Sequence, residues 1–247
     1  MSGTRHAAFL LAKRALFPGT DVALRERIRF VRHFRPGPVS TLDVGCGNGA
    51  FTIAAYRLGN RALGIDHDEG NIARAREFAG YLGLDPARIR FEQQDAYGLD
   101  ADGGRFDQIV AFEILEHLAD DRGMVARLAE LLAPGGVVHL STPFLHRRPF
   151  YSEVLTDVEN GAHLRLGYTH EQLEELLEAA GLTPVLRDAA VGRLGLAALE
   201  IVNRVERVAG RAGAVAALLA TRPLALADRV AGGDFRLIVY VQGRKRG

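Results

Sequence analysis

Three glycines on alternate positions follow an acidic residue in the stretch TLDVGCGNGAF, residues 41–51. Where a strand runs into a helix, as Gly45, Gly47 and Gly49 would allow, backbone N–H groups and the helix dipole can meet a carboxylate or a phosphate. The stretch also satisfies the looser dinucleotide pattern G-x-G-x-x-[GA]. Asp43 stands two residues before the first glycine, where its charge would repel a pyrophosphate but suit an ammonium group. The loop therefore favours an adenosyl amino acid over a dinucleotide.

Two more aspartates stand at the ends of the next two predicted strands. Asp66 ends the stretch LGID, and a carboxylate at that point can accept hydrogen bonds from both hydroxyls of a ribose. Asp95 ends FEQQD, where it can accept from an adenine amino group while the backbone N–H of Ala96 donates to a ring nitrogen. Either aspartate alone could instead cap the next turn. Together the three strand ends trace one extended adenosyl ligand.

The elements that must position these residues alternate along the chain. Apolar runs of strand length separate stretches with helical spacing, which predicts a parallel sheet covered on both faces, with ligands at the carboxyl ends of the strands. The predicted strands are 39–44, 61–65, 89–93, 106–112, 136–141, 184–188 and 235–242. The predicted helices within this pattern are 50–58, 69–82, 121–132 and 170–180.

Two further regions lie outside the alternation. Helical spacing at 5–17 and 21–34 predicts two short N-terminal helices, so that residues 1–38 form a helical arm and residues 39–247 the main domain. Residues 189–233 are too long for a simple loop and rich in Ala, Leu and Arg, with expected breaks at Gly210, Gly213 and Pro223. We interpret them as a helical cap that helps to build a substrate site, the alternative being a plain structural appendage.

Composition restricts the possible partners and the compartment. No run of 18 apolar residues and no signal-peptide pattern occurs, and the single cysteine, Cys46, cannot form an internal disulfide, so we expect a cytoplasmic protein. The net charge is +1, but residues 1–35 carry eight basic and two acidic residues. That arm could meet an anionic partner such as a membrane surface, although a solvated helix face explains the same charge.

Several motifs, in order and spacing, carry a resemblance to a known family. LDVGCGNG, GID, QQDA, FDQIVAFEILEHL and LLAPGGVVHLSTP resemble the motifs of class I S-adenosylmethionine-dependent methyltransferases, from about residue 39 to residue 182. The resemblance implies a Rossmann-like α/β fold: a doubly wound, seven-stranded sheet with an antiparallel last strand and helices on both faces. The N-terminal helices and the helical insertion before the last strand would be additions to that fold.

The resemblance also implies the cofactor, S-adenosylmethionine, and a role for individual residues. Gly45, Gly47 and Asn48 would approach its methionine part. Asp66 would bind the ribose and His67 would lie at the adenine edge. The remaining contacts to the adenine would come from Asp95 and Ala96.

The segment after the fourth predicted strand indicates the class of acceptor. This segment, EILEH, lacks the Asn/Asp-Pro-Pro-aromatic motif of relatives that methylate base or amide nitrogens, and a net charge near zero argues against a nucleic acid. The segments STPF and HLRLGYTHEQLEELLEAAGL resemble the subgroup that methylates quinone precursors, sugars and other small metabolites. We therefore expect O-methylation of a small hydroxylated molecule, with few obvious catalytic side chains. Residues 144–161 would form part of the acceptor wall or a lid.

Glu113, Glu116 and His117 stand close to the expected position of the methyl group. In the favoured interpretation Glu116 and His117 are orienting residues and His117 is a possible base, and the catalytic candidates are His117 and Glu113. In the alternative, these residues and His163 bind a divalent metal ion that engages adjacent hydroxyls of RNA or a catechol, as in some relatives. A third hypothesis is a non-catalytic module that binds an adenosyl ligand or a membrane surface. The sequence leaves the oligomeric state open.

Overall fold

The computed structural model describes residues 22–99, 106–146, 164–231 and 235–247. Its strands are β1 (Ser40–Val44), β2 (Arg61–Asp66), β3 (Ile89–Gln93), β4 (Phe106–Phe112), β5 (Leu132–Pro143), β6 (Leu182–Ala190) and β7 (Ile238–Lys245). Its helices are α1 (Val22–Arg27), α2 (Ala50–Arg57), α3 (Glu69–Leu82), α4 (Asp121–Leu131), α5 (His170–Ala179) and α6 (Arg193–Asp228). Three short 3₁₀ helices span Ile28–His33, Ala96–Gly98 and Leu115–His117.

The seven strands form one sheet in the order β3-β2-β1-β4-β5-β7-β6. Strands β1 to β5 run parallel to one another, whereas β7 runs antiparallel to both β5 and β6. The strand order reverses between β1 and β4, which is where doubly wound sheets open a crevice for ligands. The predicted fold class, with its antiparallel last strand, is confirmed.

Apolar side chains cover both faces of the sheet. On one face α2, α3 and the first 3₁₀ helix pack against the strands, and Phe30 lies with its ring stacked on Tyr240 at 4.7 Å between centroids. On the other face α4 and α5 supply the buried leucines Leu128, Leu173 and Leu177. Loops at the carboxyl ends of the strands are therefore carried by a sheet that is fixed from both sides.

The N-terminal part of the chain differs from the sequence expectation. The predicted helix 5–17 lies outside the described residues, and the predicted helix 21–34 is a short α-helix, α1, followed by the 3₁₀ helix Ile28–His33. Phe30 and Phe34 are buried against the sheet, and the backbone N–H of Arg35 donates to the Gln108 side chain at 2.8 Å. The proposed domain boundary at residue 38 stays a prediction.

The insertion is a helical hairpin. Residues 193–228 are helical except at Gly210, whose φ of 63° and ψ of −166° reverse the chain between two halves. The Asp228 carboxylate accepts hydrogen bonds from the backbone N–H groups of Gly192 and Leu194, so the two ends of the segment meet. A straight helix of 36 residues would be about 54 Å long and could not do this.

Two of the three predicted breaks in the insertion were wrong. Gly213 is helical, and a Cβ atom there would lie 2.5 Å from that of Ala209, so this glycine serves close packing instead of a break. Pro223 also lies inside the second half of the hairpin. Among the described residues, none of the helices is both long and apolar enough to cross a membrane.

Candidate functional site

The glycine loop connects β1 to α2 through backbone that only glycine adopts easily. Gly45 has φ 66°, and a Cβ atom there would overlap the Ile114 side chain. Gly49 has φ 80°, and its Cβ atom would lie 2.7 Å from the Phe91 ring. The loop therefore leaves no room for side chains at these two positions, and its backbone can approach a ligand closely.

Asp43 lies beneath this loop, with only 2% of its surface exposed. The Thr52 hydroxyl, in the first turn of α2, donates to Asp43 Oδ2 at 2.6 Å. Burial raises the pKa of the Asp43 carboxyl to about 7, because the hydrogen bonds from Thr52 offset only part of the desolvation, and the charge of Asp66 adds to the rise. A nearby cation or a rise in pH would therefore favour the ionised form of the Asp43 carboxyl.

Asp66 joins the glycine loop to the end of β2. Its Oδ2 accepts a hydrogen bond from the backbone N–H of Gly47 and its Oδ1 accepts one from that of Asp68, both at 2.9 Å. The side chain is 6% exposed. Each carboxylate oxygen has a further acceptor position, so these two bonds leave capacity for hydroxyl donors such as those of a ribose. Asn48 lies in the same loop and is half-buried.

The residues expected near an adenine lie at the ends of β2 and β3. Asp95 is exposed, and its Oδ1 accepts a hydrogen bond from the backbone N–H of Tyr97 at 3.0 Å. Asp95 therefore caps the turn Ala96–Gly98, which is the alternative role that the sequence allows for it. Ala96 itself is buried. The His67 side chain is 92% exposed, with Nδ1 3.6 Å from Asp66 Oδ1. The backbone N–H of Gln94 donates to the Asp66 carbonyl at 3.1 Å and brings the two strand ends together.

Glu113 comes directly after β4 in a strained conformation. Its φ is 55°, a left-handed value that a side-chain-bearing residue rarely adopts. Its backbone N–H donates to the Ser141 carbonyl at the end of β5, at 2.8 Å, and its carboxylate lies 3.5 Å from the Arg27 guanidinium of α1. Such strain persists only where surrounding contacts stabilise it, and non-glycine residues in this conformation are often found at ligand sites.

Glu116 and His117 face different surroundings although they are neighbours. Glu116 is fully buried and its carbonyl accepts from the backbone N–H of Leu164, whereas His117 is exposed. The described part of the chain contains no group of three or more His, Cys, Asp or Glu side chains arranged to bind a metal ion. His163, the fourth ligand in the metal hypothesis, lies outside the described residues.

Sequence reasoning missed the residue that fixes the loop after β4. Arg165 donates to the carbonyls of Leu118 and Ala119 at 2.9 and 3.3 Å, to the Tyr168 hydroxyl at 2.8 Å, and pairs with Asp121. Burial raises the pKa of Tyr168, and its hydrogen bond to Asp121 adds to that rise. We call these three side chains, Arg165, Asp121 and Tyr168, the arginine clamp. Asp121 lies more than 40 residues before the other two in the sequence. A contact over that separation leaves no periodic pattern from which it could be predicted.

The segment expected to line the acceptor site is described only at its start. Phe144 packs edge-on against His146, with 5.5 Å between ring centroids, and residues 147–163 lie outside the described part. The helical hairpin α6 packs on α1, where Arg229 and Glu26 form an ion pair at 2.8 Å. Helix α1 also carries Arg27, which forms an ion pair with Glu113 at the end of β4. The hairpin and the end of β4 therefore both contact the short helix α1.

Comparison with known proteins adds a family and a set of relatives. A family model described as a methyltransferase domain matches residues 14–186. A ubiquinone biosynthesis O-methyltransferase of Dinoroseobacter shibae is 37% identical over 153 residues, which are 58% of this chain and 60% of that protein. One from Cereibacter sphaeroides is 34% identical over 159 residues, 61% of this chain and 62% of that protein. The chain thus matches about six tenths of the length of these relatives.

Solved structures with the same fold are more distant in sequence. A phosphoethanolamine N-methyltransferase 2 of Haemonchus contortus, in complex with S-adenosyl-L-methionine, superposes with a TM-score of 0.64 at 21% identity, covering 93% of this chain and 53% of that one. The [4+2]-cyclase SpnF gives 0.58 at 24% identity, covering 92% and 80%. At these identities the likeness concerns the fold alone, which hosts more than one chemistry.

Proposed function

The chain belongs to the methyltransferase-domain family, and on that premise we propose that it transfers the methyl group of S-adenosylmethionine to a hydroxyl oxygen of a small metabolite. One observation supports S-adenosylmethionine as the cofactor. A loop with glycines at alternate positions, a buried carboxylate at β1, and carboxylates at the ends of β2 and β3 follow one another along three adjacent parallel strands. This row of groups matches the order of ammonium, ribose and adenine in an adenosyl amino acid.

The donor and acceptor chemistry of the described residues fits this cofactor. Asp43 supplies a carboxylate whose ionisation an ammonium group would favour, and Asp66 keeps acceptor capacity for two hydroxyls. Gly45, Gly47 and Asn48 would border the methionine part, and His67, Asp95 and Ala96 the adenine. For Asp95 to accept from an adenine amino group it would use the oxygen that does not cap Tyr97.

When bound, the cofactor supplies a methyl group already activated by the positive charge on sulfur. The protein must then place an acceptor oxygen in line with that methyl group, exclude water and take up the hydroxyl proton. Glu113 is the proposed orienting residue, because Arg27 and the strained backbone fix its position at the end of β4. His117 is the proposed base, since its exposed side chain lies in the same segment.

The proposed class of acceptor is inferred from the relatives of the chain. Proteins 34–37% identical to this chain over the matched region are named ubiquinone biosynthesis O-methyltransferases. We therefore favour a phenolic or quinol hydroxyl as acceptor, with sugars and polyketide-like products as further candidates, and a nucleic acid is disfavoured. The single buried cysteine supports the proposed cytoplasmic location.

The first test is cofactor binding, measured by titration calorimetry with S-adenosylmethionine. Asp66→Ala should weaken binding at least tenfold, because each hydrogen bond to a charged group contributes about 1.5–3 kcal/mol. Glu130→Gln, an exposed change on α4, is the matched control and should bind as the wild type does. Equal affinity of Asp66→Ala and wild type would contradict the site.

The second test is methyl transfer to a panel of catechols, quinone precursors, sugars and phenols, monitored by mass spectrometry. We expect a methyl ether of at least one panel member. Tight cofactor binding without any methylated product would instead favour the non-catalytic module or a chemistry such as cyclisation. Activity that is lost with a chelator and restored by Mg²⁺ would replace the proposal with the metal-assisted alternative.

A peripheral membrane contact through the basic N-terminal arm is a further proposal about partners. Residues 1–21 of that arm lie outside the described residues, so only its charge supports the idea. Pelleting with anionic vesicles at low and high salt measures it, since electrostatic attachment weakens with salt. Absence of pelleting at low salt would overturn this contact without affecting the methyl-transfer proposal.

A further inference from the structure

The second half of the helical hairpin is apolar on two opposite sides. Its inner side includes Ala214 and Ala217, which are buried in the core cluster that also contains Phe30 and Tyr240. Its outer side, together with the turn after the helix, carries an exposed row that recurs at helical spacing. We call this row the outer stripe, and its residues are Ala212, Ala216, Leu219, Ala220, Pro223, Leu226, Ala227 and Val230.

The exposure of the outer stripe is unusual for a helix that faces water. Leu219 is 64% exposed, Leu226 47% and Val230 88%. A surface helix normally places polar residues on the side away from the core. Single exposed apolar residues need no explanation, whereas a continuous row of them marks a contact with a partner or a membrane.

The charges beside the outer stripe are of one sign. Among the described residues of the hairpin, 193–231, the exposed charged side chains are all arginines. Asp228 is buried as the cap at the base, and Glu200 and Glu206 are half-buried. Arg211, Arg222 and Arg229 lie in one row along the side of the stripe, because their separations are close to three and two helical turns.

A second copy of the chain would fit the outer stripe poorly. The stripe is about 27 Å long and a helix is about 10 Å wide, so two paired stripes would bury roughly 540 Å², well below the about 1,200 Å² of a stable interface. Pairing would also bring two arginine rows together without exposed carboxylates between them. An extended anionic surface has neither difficulty, since it covers the whole stripe and attracts the arginines.

We propose that the outer stripe docks the protein on an anionic membrane surface. Leu219, Leu226 and Val230 would enter the boundary between headgroups and acyl chains, and Arg211 and Arg222 would contact the lipid phosphates. Amphipathic helices that lie in the plane of a membrane bind it with the same division of apolar and basic side chains. This inference goes beyond methyl transfer and does not depend on it, because none of these residues belongs to the proposed cofactor or acceptor site.

The test uses the full chain and vesicles of phosphatidylcholine with or without phosphatidylglycerol, with partition measured by sedimentation. The wild type should bind the anionic vesicles more tightly than the neutral ones and keep part of this binding at high salt, because salt does not screen apolar contacts. The double variant Leu219→Gln/Leu226→Gln should bind at least tenfold more weakly at either salt concentration. Val185→Gln, which changes an exposed apolar residue of β6, is the matched control and should bind as the wild type does.

A second pair of variants tests the arginine row. Arg211→Gln/Arg222→Gln should weaken binding to anionic vesicles at low salt by at least threefold and leave binding to neutral vesicles unchanged. Arg90→Gln on β3 is the control, since β3 forms the opposite edge of the sheet from β6 and β7, between which the hairpin is inserted. Thermal unfolding of each variant at the wild-type temperature shows that folding is intact.

Three results would overturn the proposal. The first is equal partition of the wild type and Leu219→Gln/Leu226→Gln. The second is binding that Lys13→Gln/Arg14→Gln abolishes and the leucine variant keeps, which would assign the membrane contact to the N-terminal arm alone. The third is a dimer in analytical ultracentrifugation that the leucine variant converts to monomers, without vesicle binding by the wild type, which would make the stripe an interface between copies.

Discussion

The Asp228 carboxylate accepts a hydrogen bond from the backbone N–H of Gly192 at 2.6 Å, although the two residues stand at opposite ends of the hairpin segment. Asp228 therefore acts as an N-terminal cap that is supplied from 36 residues downstream in the sequence. An ordinary cap orders only its own helix, whereas this one also fixes the two halves of the hairpin against each other at their base.

We predict that Asp228→Ala destabilises the hairpin. Loss of a capping side chain costs about 0.5–2 kcal/mol, and here two backbone donors lose their acceptor. Denaturant unfolding should show a loss in that range, and hydrogen exchange should show faster opening within residues 193–228 than in the sheet. Arg211→Ala at the exposed tip is the control and should change neither measurement. Equal exchange rates in Asp228→Ala and wild type would show that the cap does not close the hairpin.

The pH dependence of stability should reveal Asp43. Because its folded pKa is about 7 and its ordinary value is 3.8, the folded state binds more protons than the unfolded state between these values. Its contribution to stability is present below about pH 4 and is lost as pH rises to about 7, by about 4 kcal/mol. Asp43→Asn keeps an acceptor for Thr52 and should lack this loss, as urea unfolding at several pH values would show.

His139 should have the opposite effect. Burial, with smaller contributions from the charges of His33 and Arg35, lowers its pKa from 6.5 to about 3. The ring lies between the Tyr240 hydroxyl at 2.7 Å and Gln108 Oε1 at 3.0 Å. Because Gln108 Oε1 can only accept, His139 Nε2 carries the proton and Tyr240 donates to Nδ1.

The His139 contribution to stability is therefore present above pH 6.5 and is lost as pH falls towards 3, by about 5 kcal/mol. We predict that the wild type has a shallow pH profile between pH 4 and 6.5, where the two groups oppose each other. In Asp43→Asn stability should rise with pH, and in His139→Gln it should fall. Profiles of the two variants with the same slope as the wild type would contradict this opposition.

The arginine clamp should affect turnover more than cofactor affinity. Arg165 binds the carbonyls of the two residues after His117, so Arg165→Ala should misplace this segment and lower kcat up to about 100-fold with the cofactor Kd unchanged. Arg165→Lys should recover part of the rate, since lysine supplies donors without the fork. Arg127→Ala on α4 is the matched control. A parallel loss of folding stability and activity in both Arg165 variants would assign the clamp a structural role only.

Residues with periodic patterns were predictable from the sequence, and residues that meet across the fold were not. Helix α3 and strands β3 and β4 lie at the predicted residues, because their apolar spacing and flanking turns are local signals. Strand β5 begins four residues before the predicted start, since Leu132 pairs with Phe106 across an irregularity in the register. The ion pair of Arg27 with Glu113 joins distant parts of the chain and has no local pattern.

The same division applies to the candidate site. The glycine loop and the three aspartates were visible as motifs, because each lies at the end of a strand that is easy to recognise. The sequence could not show how deeply each carboxylate is buried or which hydrogen bonds it accepts. Asp43 is buried beneath Thr52, whereas Asp95 is exposed and caps a turn, and only tertiary packing separates these two environments.

The hairpin leaves and rejoins the sheet at one point, because the backbone N–H of Leu237 donates to the Val191 carbonyl at 2.8 Å. A fold tolerates insertions whose ends lie close together, because they need not displace the elements on either side. The hairpin is inserted at a single point of the fold, and its buried residues Leu196, Val202 and Ala214 share one core with the sheet. Exchange of residues 192–236 between relatives should therefore preserve the strand order where these core positions stay apolar and of similar volume.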